Sequence, residues 1–205
     1  MNTGVVWFRN ALRLNDNRVL VECLNSTNSQ TILPLYILNK SDLEQNNNEN
    51  RIKFLYESLI DLNANFKAKF GSNLIVLNGK SEEVFRKLLS SDLIDISEIF
   101  TDYSNKPKDI KNENNLKSVL AKHTSVKLHL ISKVNSLTNI KEVVNQDNFK
   151  PPKTMKDMEK LFSNLYPKDE DGFYSIDEPL DTPENSKPTS ENFSEIIKDL
   201  SLIHI

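Results

Sequence analysis

The chain has 205 residues, 38% of them hydrophobic, and its 26 Lys and Arg against 29 Asp and Glu leave a net charge of −3. That length suits one domain of ordinary size with an appended tail, and the near balance of charge excludes a global basic footprint for nucleic acid or an anionic membrane. A single cysteine, Cys23, excludes an internal disulfide and any cysteine-rich metal site.

The opening run Val5 to Phe8 is apolar, with β-branched and aromatic residues, and stops at Arg9 and Asn10, as a buried strand does at its end. Asp16 or Asn17 then caps a helix through Leu20, Val21, Cys23 and Leu24, because a short oxygen-bearing side chain can accept from the free N–H groups of the first turn. Thr31 to Leu38 reads as a second buried strand. Pro34 inside it predicts an irregularity, or an effective start near Leu35, since proline cannot donate to a ladder. Asn39 to Glu49, with its asparagine triplet, reads as a solvated loop.

Ile52, Leu55, Leu59, Leu62 and Phe66 recur at spacings of three and four and predict one apolar helical face, with Gly71 as a left-handed stop. Leu74 to Leu77 is a third strand, and Ser81 with Glu82 and Glu83 opens a third helix. Ile94, Ile96, Ile99 and Phe100 outline a fourth strand, Thr101 to Pro107 its following loop, and Asp109 to Lys122 a helix with Ile110, Leu116, Val119 and Leu120 inward. Val126, Leu128 and Leu130 alternate with polar residues as a half-exposed fifth strand.

Five strand-and-helix units in succession predict an α/β fold: a doubly wound, Rossmann-like, five-stranded parallel sheet with helices on both faces, followed by an extended C-terminal linker. Ligands approach such sheets at the carboxyl ends of the strands. Those ends are Phe8-Arg9-Asn10, Leu38-Asn39-Lys40, Asn78-Gly79-Lys80 and Thr101-Asp102-Tyr103, and the candidate pocket residues are Phe8, Arg9, Asn10, Asn39, Asp102 and Tyr103. The four glycines form neither G-x-G-x-x-G nor a Walker loop, which disfavours the commonest phosphate cradles. Arg9 and Arg13 either bind an anionic group by paired hydrogen bonds or pair with Asp16 or another carboxylate and hold the loop. His123, His129 and His204 have no metal or triad spacing, and Glu82, Glu83 and Glu98 read as helix starts and surface.

Several of these stretches share a resemblance. "VVWFRNALRLNDN" (Val5 to Asn17) resembles the N-terminal signature of the photolyase/cryptochrome family. "NRIKFLYESLIDLNANFKAKFGSNLIVLNGKSEEVFRKLL" (Asn50 to Leu89), "VNSLTNIKEVV" and "FKPPKTMKDMEKLF" (Phe149 to Phe162) are similar to its later segments, nearest to animal cryptochromes and (6-4) photolyases. The match runs over residues 4 to 165. Arg18 replaces a common proline, Tyr103-Ser104-Asn105-Lys106-Pro107 replaces an acidic segment ending Glu-Pro, and Met155 replaces a tyrosine.

The resemblance implies the N-terminal α/β half of a blue-light flavoprotein whose pocket takes an antenna folate or deazaflavin. A separate helical domain would bind FAD and, in photolyases, damaged DNA. The expected division is an α/β core over 1–132, a helical extension over 133–165 and an interdomain linker with a short helix over 166–199. The last residues, 200–205, are either an adapter-derived scar matching one frame of a sequencing transposon end or a native apolar terminus. The FAD domain is expected to be absent, so the parent's photolyase activity would not reside in this chain alone, and the chain by itself should bind no FAD. With no leader pattern and no apolar run near ~20 residues, the expectation is a soluble intracellular protein of nucleus or cytoplasm without membrane contact. Two other functions fit the same residues: a cryptochrome-type signalling or clock regulator acting through protein contacts, and a stand-alone α/β nucleotide-binding module.

Overall fold

The computed structural model describes residues 1–39, 43, 48–136, 139–147, 149–166, 168–172, 180–182 and 187–188. In chain order they form β1 (Asn2–Phe8), α1 (Arg18–Asn25), β2 (Thr31–Leu38), α2 (Glu49–Phe70), β3 (Ile75–Asn78), α3 (Ser81–Ser90), β4 (Asp95–Asp102), α4 (Pro107–Leu120), β5 (Lys127–Ile131), α5 (Ile140–Val144) and α6 (Met155–Leu165). The five strands make one parallel sheet in the order β3-β2-β1-β4-β5. This is the doubly wound class read from the sequence.

Alternation along β1 divides the core. Val6 and Phe8 face α1 and α2 with Leu20, Cys23, Leu62 and Phe66, while Val5 and Trp7 face α3 and α4 with Phe85, Leu88, Leu116 and Leu120. Trp7 meets Phe85 edge to face with centroids 5.1 Å apart. Asn17 caps α1 through bonds from the Val19 and Leu20 N–H groups, and Gly71 ends α2 with φ 69°. No helix among the described residues is long and apolar enough to cross a membrane.

Four readings are corrected. β2 runs unbroken through Pro34, which pairs with Val6. The Ile32 N–H goes to the Pro188 carbonyl at 3.1 Å; two residues on, Pro34 turns its missing N–H to the same side, where β3 begins pairing only at Leu35. β4 continues to Asp102 and α4 starts at Pro107, so the connection is shorter than the loop from Thr101 to Pro107. Ile110 points outward at 41% exposure, and Glu113 takes the inward place, because the face set by Leu116 and Leu120 passes through residue 113 and not 110. The loop expected from Asn39 to Glu49 falls largely outside the described residues, as do the short helix of the tail and residues 200–205.

The fourth correction concerns Glu98, which is buried in the sheet and not at the surface. Thr3 pairs with Ile96 but Gly4 with Glu98, so Ser97 is bulged out of register. Beyond it Ile99 returns to the α3/α4 face and Glu98 turns toward α1. There it accepts from Ser26 Oγ, from Asn28 Nδ2 at 3.2 Å and approaches His129 Nε2 at 3.0 Å. Burial pushes the Glu98 carboxyl up, but these three bonds together outweigh it and hold it below the ordinary range. His129, assigned no role from the sequence, also stacks on Phe100 at 4.5 Å. Gly4 is required beside this cluster, since a Cβ there would lie 2.8 Å from both Cys23 Sγ and Ser29 Oγ.

The tail returns along α1. Leu180 exchanges bonds with Asp16, whose φ is 49°, and Thr182 Oγ1 donates to the Leu14 carbonyl at 3.1 Å. Lys187 Nζ donates to the Cys23 carbonyl at 3.0 Å, to Ser29 Oγ at 3.1 Å and to the Ser26 carbonyl, at the negative end of α1.

Candidate functional site

The carboxyl ends of β1, β2 and β3 converge, with the first residues of α3 and α4, on a cavity of about 200 Å³. It is lined by residues including Arg9, Asn10, Asn39, Ser81, Lys108 and Asn112. An adjoining cavity of about 250 Å³ shares Tyr36, Ile37, Asn39 and Lys108 and extends toward α2. The site lies at the carboxyl ends of the strands, beside the β1/β4 junction where strand order reverses, because β1 is central and its crossovers leave in opposite directions.

Arg9 organises this edge. Its Nε donates to Asp102 Oδ1 at 3.3 Å, its Nη2 to Glu113 Oε1 at 3.0 Å and to the Asp102 carbonyl, and its Cζ lies 5.0 Å above the Trp7 ring. Burial raises the Glu113 carboxyl above the ordinary range even though Arg9 opposes it. Asn10 Nδ2 donates to Asp102 Oδ2 at 2.8 Å and Asp109 Oδ2 at 3.2 Å, and its own Oδ1 accepts from Lys106 Nζ at 2.8 Å. Asn135 Nδ2 adds a bond to Asp102 at 3.3 Å. Arg13 makes no such network: it pairs with Asp16 at 3.6 Å and donates to the Val134 carbonyl at 2.8 Å.

Of the six residues proposed from the sequence, Phe8, Arg9, Asn10 and Asn39 line the one cavity. The Phe8 ring itself belongs to the α1/α2 core. Asp102 and Tyr103 line a separate cavity of about 380 Å³ between the ends of β4 and β5, which Asn10 also borders. Sequence reasoning missed Glu113, Ser81, Asn112 and Asn135. For Glu113 a signal existed, since it lies three residues before Leu116 on the same helical face. For Ser81 and Asn112 the juxtaposition needs the folded sheet. Two residues that line the cavity each carry a buried polar atom with no hydrogen-bond partner among the described residues, Ser81 Oγ and Arg9 Nη1. No cluster of three or more His, Cys, Asp or Glu able to hold a metal occurs among the described residues.

Known proteins share this fold. The sequence profile described as DNA photolyase matches residues 4–180. Cryptochrome-1 of Spalax judaei is 30% identical over 165 residues, covering 80% of this chain and 27% of its own length. The crystal structure of Synechocystis sp. PCC6803 cryptochrome superposes with a TM-score of 0.75 at 21% identity, over 93% of this chain and 38% of the other. An archaeal photolyase from Sulfolobus tokodaii, described as holding two FAD molecules and implying a novel light-harvesting cofactor, gives a TM-score of 0.66 at 18% identity, over 97% and 41%. The chain thus spans about a quarter of the length of the curated relatives it matches.

Proposed function

The chain belongs to the DNA photolyase family, and from that premise we propose that it is the light-gathering α/β half of a blue-light flavoprotein, with a small pigment held at the carboxyl edge of its sheet. The observation that carries this reading is the cavity between the ends of β1, β2 and β3, two of whose lining residues, Ser81 and Arg9, each carry a buried polar atom with no partner among the described residues. A buried donor without an acceptor costs about 1–3 kcal/mol, so its persistence in a residue that lines a cavity favours a ligand that supplies one.

A bound folate or deazaflavin supplies absorption in the near ultraviolet or blue. The protein's own residues bind and orient. Arg9 is clamped by Asp102 and Glu113 and forms a fixed wall; Asn10, held by Asp102, Asp109 and Lys106, and Asn39 form the polar rim; and Tyr36 and Ile37 give the apolar side shared with the adjoining cavity. Light-driven DNA repair and photoreception are proposed only for a protein joining this domain to an FAD-binding half.

The test is reconstitution. Purified chain mixed with a reduced folate or a deazaflavin should elute from gel filtration with a stoichiometric absorbance band, and Asn39→Trp, which fills the rim, should abolish it while leaving the circular dichroism intact. Failure of both pigments to co-elute at saturating concentration sinks the reading.

A further inference from the structure

At the amino end of the sheet, two charged groups from distant parts of the chain meet across one short loop. The loop from Ser26 to Ser29, between α1 and β2, carries no charge of its own. On one side it grips Glu98 of β4: Ser26 Oγ and Asn28 Nδ2 both donate to the carboxylate, and Oγ of the bulged Ser97 donates to the Asn28 carbonyl at 3.3 Å. On the other side it holds the tail, since Lys187 Nζ donates to the Ser26 carbonyl and to Ser29 Oγ. Ser26 therefore touches both charges. One residue on, the Pro188 carbonyl accepts from the Ile32 N–H of β2 at 3.1 Å.

The lysine depends on a countercharge. Its hydrogen-bond acceptors, two carbonyls and a hydroxyl, are all neutral. Burial holds its ammonium below the ordinary lysine range, and Cys23 and Glu98 act against that. Cys23 stays a neutral thiol, pushed up to about 12 by burial, so the charge left to hold Lys187 is the Glu98 carboxylate.

That carboxylate has a second neighbour, one that changes charge. His129 Nε2 lies 3.0 Å from Glu98 Oε1, with its side chain 36% exposed and its ring stacked on Phe100. Imidazole is the side chain whose ordinary pKa puts its charge change between about pH 5 and 8. Glu98, held below the ordinary carboxylate range, remains an anion across that interval. Around the ring, β4 supplies Glu98 and the apolar Phe100, the α1–β2 loop supplies uncharged Ser26 and Asn28 to the same carboxylate, and β5 itself carries Lys127, exposed and in register with Glu98. With His129 neutral, Glu98 offers Lys187 a full negative charge. With His129 protonated, the pair is neutral and the lysine keeps only its uncharged acceptors.

We propose that His129 is a pH-sensitive latch for the tail: protonation of its ring withdraws Glu98 from Lys187 and lets Lys187 and Pro188 lift from α1 and β2, while the sheet stays folded. The tail is expected from its sequence to be the connector toward a further domain, so the latch ties acidity to how firmly that connector is held on the α/β half. Nothing in the latch depends on a pigment at the carboxyl end.

Hydrogen exchange on the full chain tests it, read as the protection of the Ile32 N–H relative to amides of β1, which cancels the intrinsic pH dependence of exchange. From about pH 7.5 to about pH 5.5 that relative protection should fall about fivefold, the upper range for one screened charge pair. His129→Gln, which keeps a neutral donor and does not titrate, should hold the high value throughout; His129→Arg, permanently cationic, should hold the low one. In the unaltered chain the midpoint of the Ile32 change should coincide with that of the His129 ring resonances, a comparison that stands even where a variant fails to fold.

Equal protection at the two pH values overturns the latch. So does a fall that survives in His129→Gln, or an Ile32 midpoint that differs from that of the His129 ring.

Discussion

The two ends of the sheet use similar residues to opposite effect. At the amino end, Glu98 receives Ser26, Asn28 and His129, and Lys187 from the tail is enclosed by two carbonyls and Ser29 Oγ. At the carboxyl end, Arg9 is equally buried and ion-paired, yet its Nη1 and the Ser81 hydroxyl have no acceptor among the described residues. Saturated polar groups lock a structure together, whereas unsaturated ones at a cavity mark where a ligand belongs. On the proposed reading the amino end is a clamp and the carboxyl end a receptacle.

The largest test of that contrast is Arg9→Met. It leaves Asp102 and Glu113 buried without their cation and should cost about 3–5 kcal/mol at neutral pH, read by urea unfolding. A loss below about 1 kcal/mol would show that Arg9 is not part of the framework. Because burial holds Glu113 above its ordinary value, its contribution to stability is full below the unfolded pKa and is lost as pH rises through the folded one. The deficit of Arg9→Met should accordingly narrow toward acid, where the Glu113 carboxyl takes up a proton.

Next comes Gly4→Ala at the amino end, expected to cost about 1–3 kcal/mol from the crowding of its Cβ against Cys23 and Ser29. An unchanged melting temperature would mean that α1 can move away without loss.

Glu98→Gln should cost about 1–2 kcal/mol and also change the acid limb of stability. The Glu98 carboxyl lies below its ordinary value when folded, so its contribution is present above the unfolded pKa and disappears as pH falls through the folded one. The substitution should flatten that limb; an identical acid limb in both proteins contradicts the clamp.

The smallest effect is expected for Lys187→Met. Burial lowers the Lys187 ammonium pKa and pushes the Cys23 thiol up to about 12, so Cys23 should resist thiol reagents in the native protein. Loss of the lysine should raise hydrogen exchange at the Ile32 N–H, which the neighbouring Pro188 carbonyl covers, with little change in global stability. Unaltered exchange at Ile32 would separate the tail from the clamp.

Much of the fold was legible because hydrophobic period follows backbone geometry. The three-and-four spacing of Leu55, Leu59, Leu62 and Phe66 names a helix face, and the apolar runs at Val5 and Thr31 name buried strands, whatever packs on them. The site was legible in outline only. Arg9, Asn10 and Asn39 end their strands and reach the cavity, while Glu113 was hidden by a helix phase taken from Ile110, and Glu98 by the one-residue bulge at Ser97 that exchanges inside for outside.

By itself the order of residues determined the class of the chain, the alternation of five strands with helices and the resemblance to photolyases and cryptochromes, because these depend on local periodicity and contiguous motifs. Only the tertiary structure decided which polar groups were saturated. Arg9 is 93 residues from Asp102 and 104 from Glu113 along the chain, and whether a buried donor finds an acceptor is settled by what folding brings within three ångströms of it.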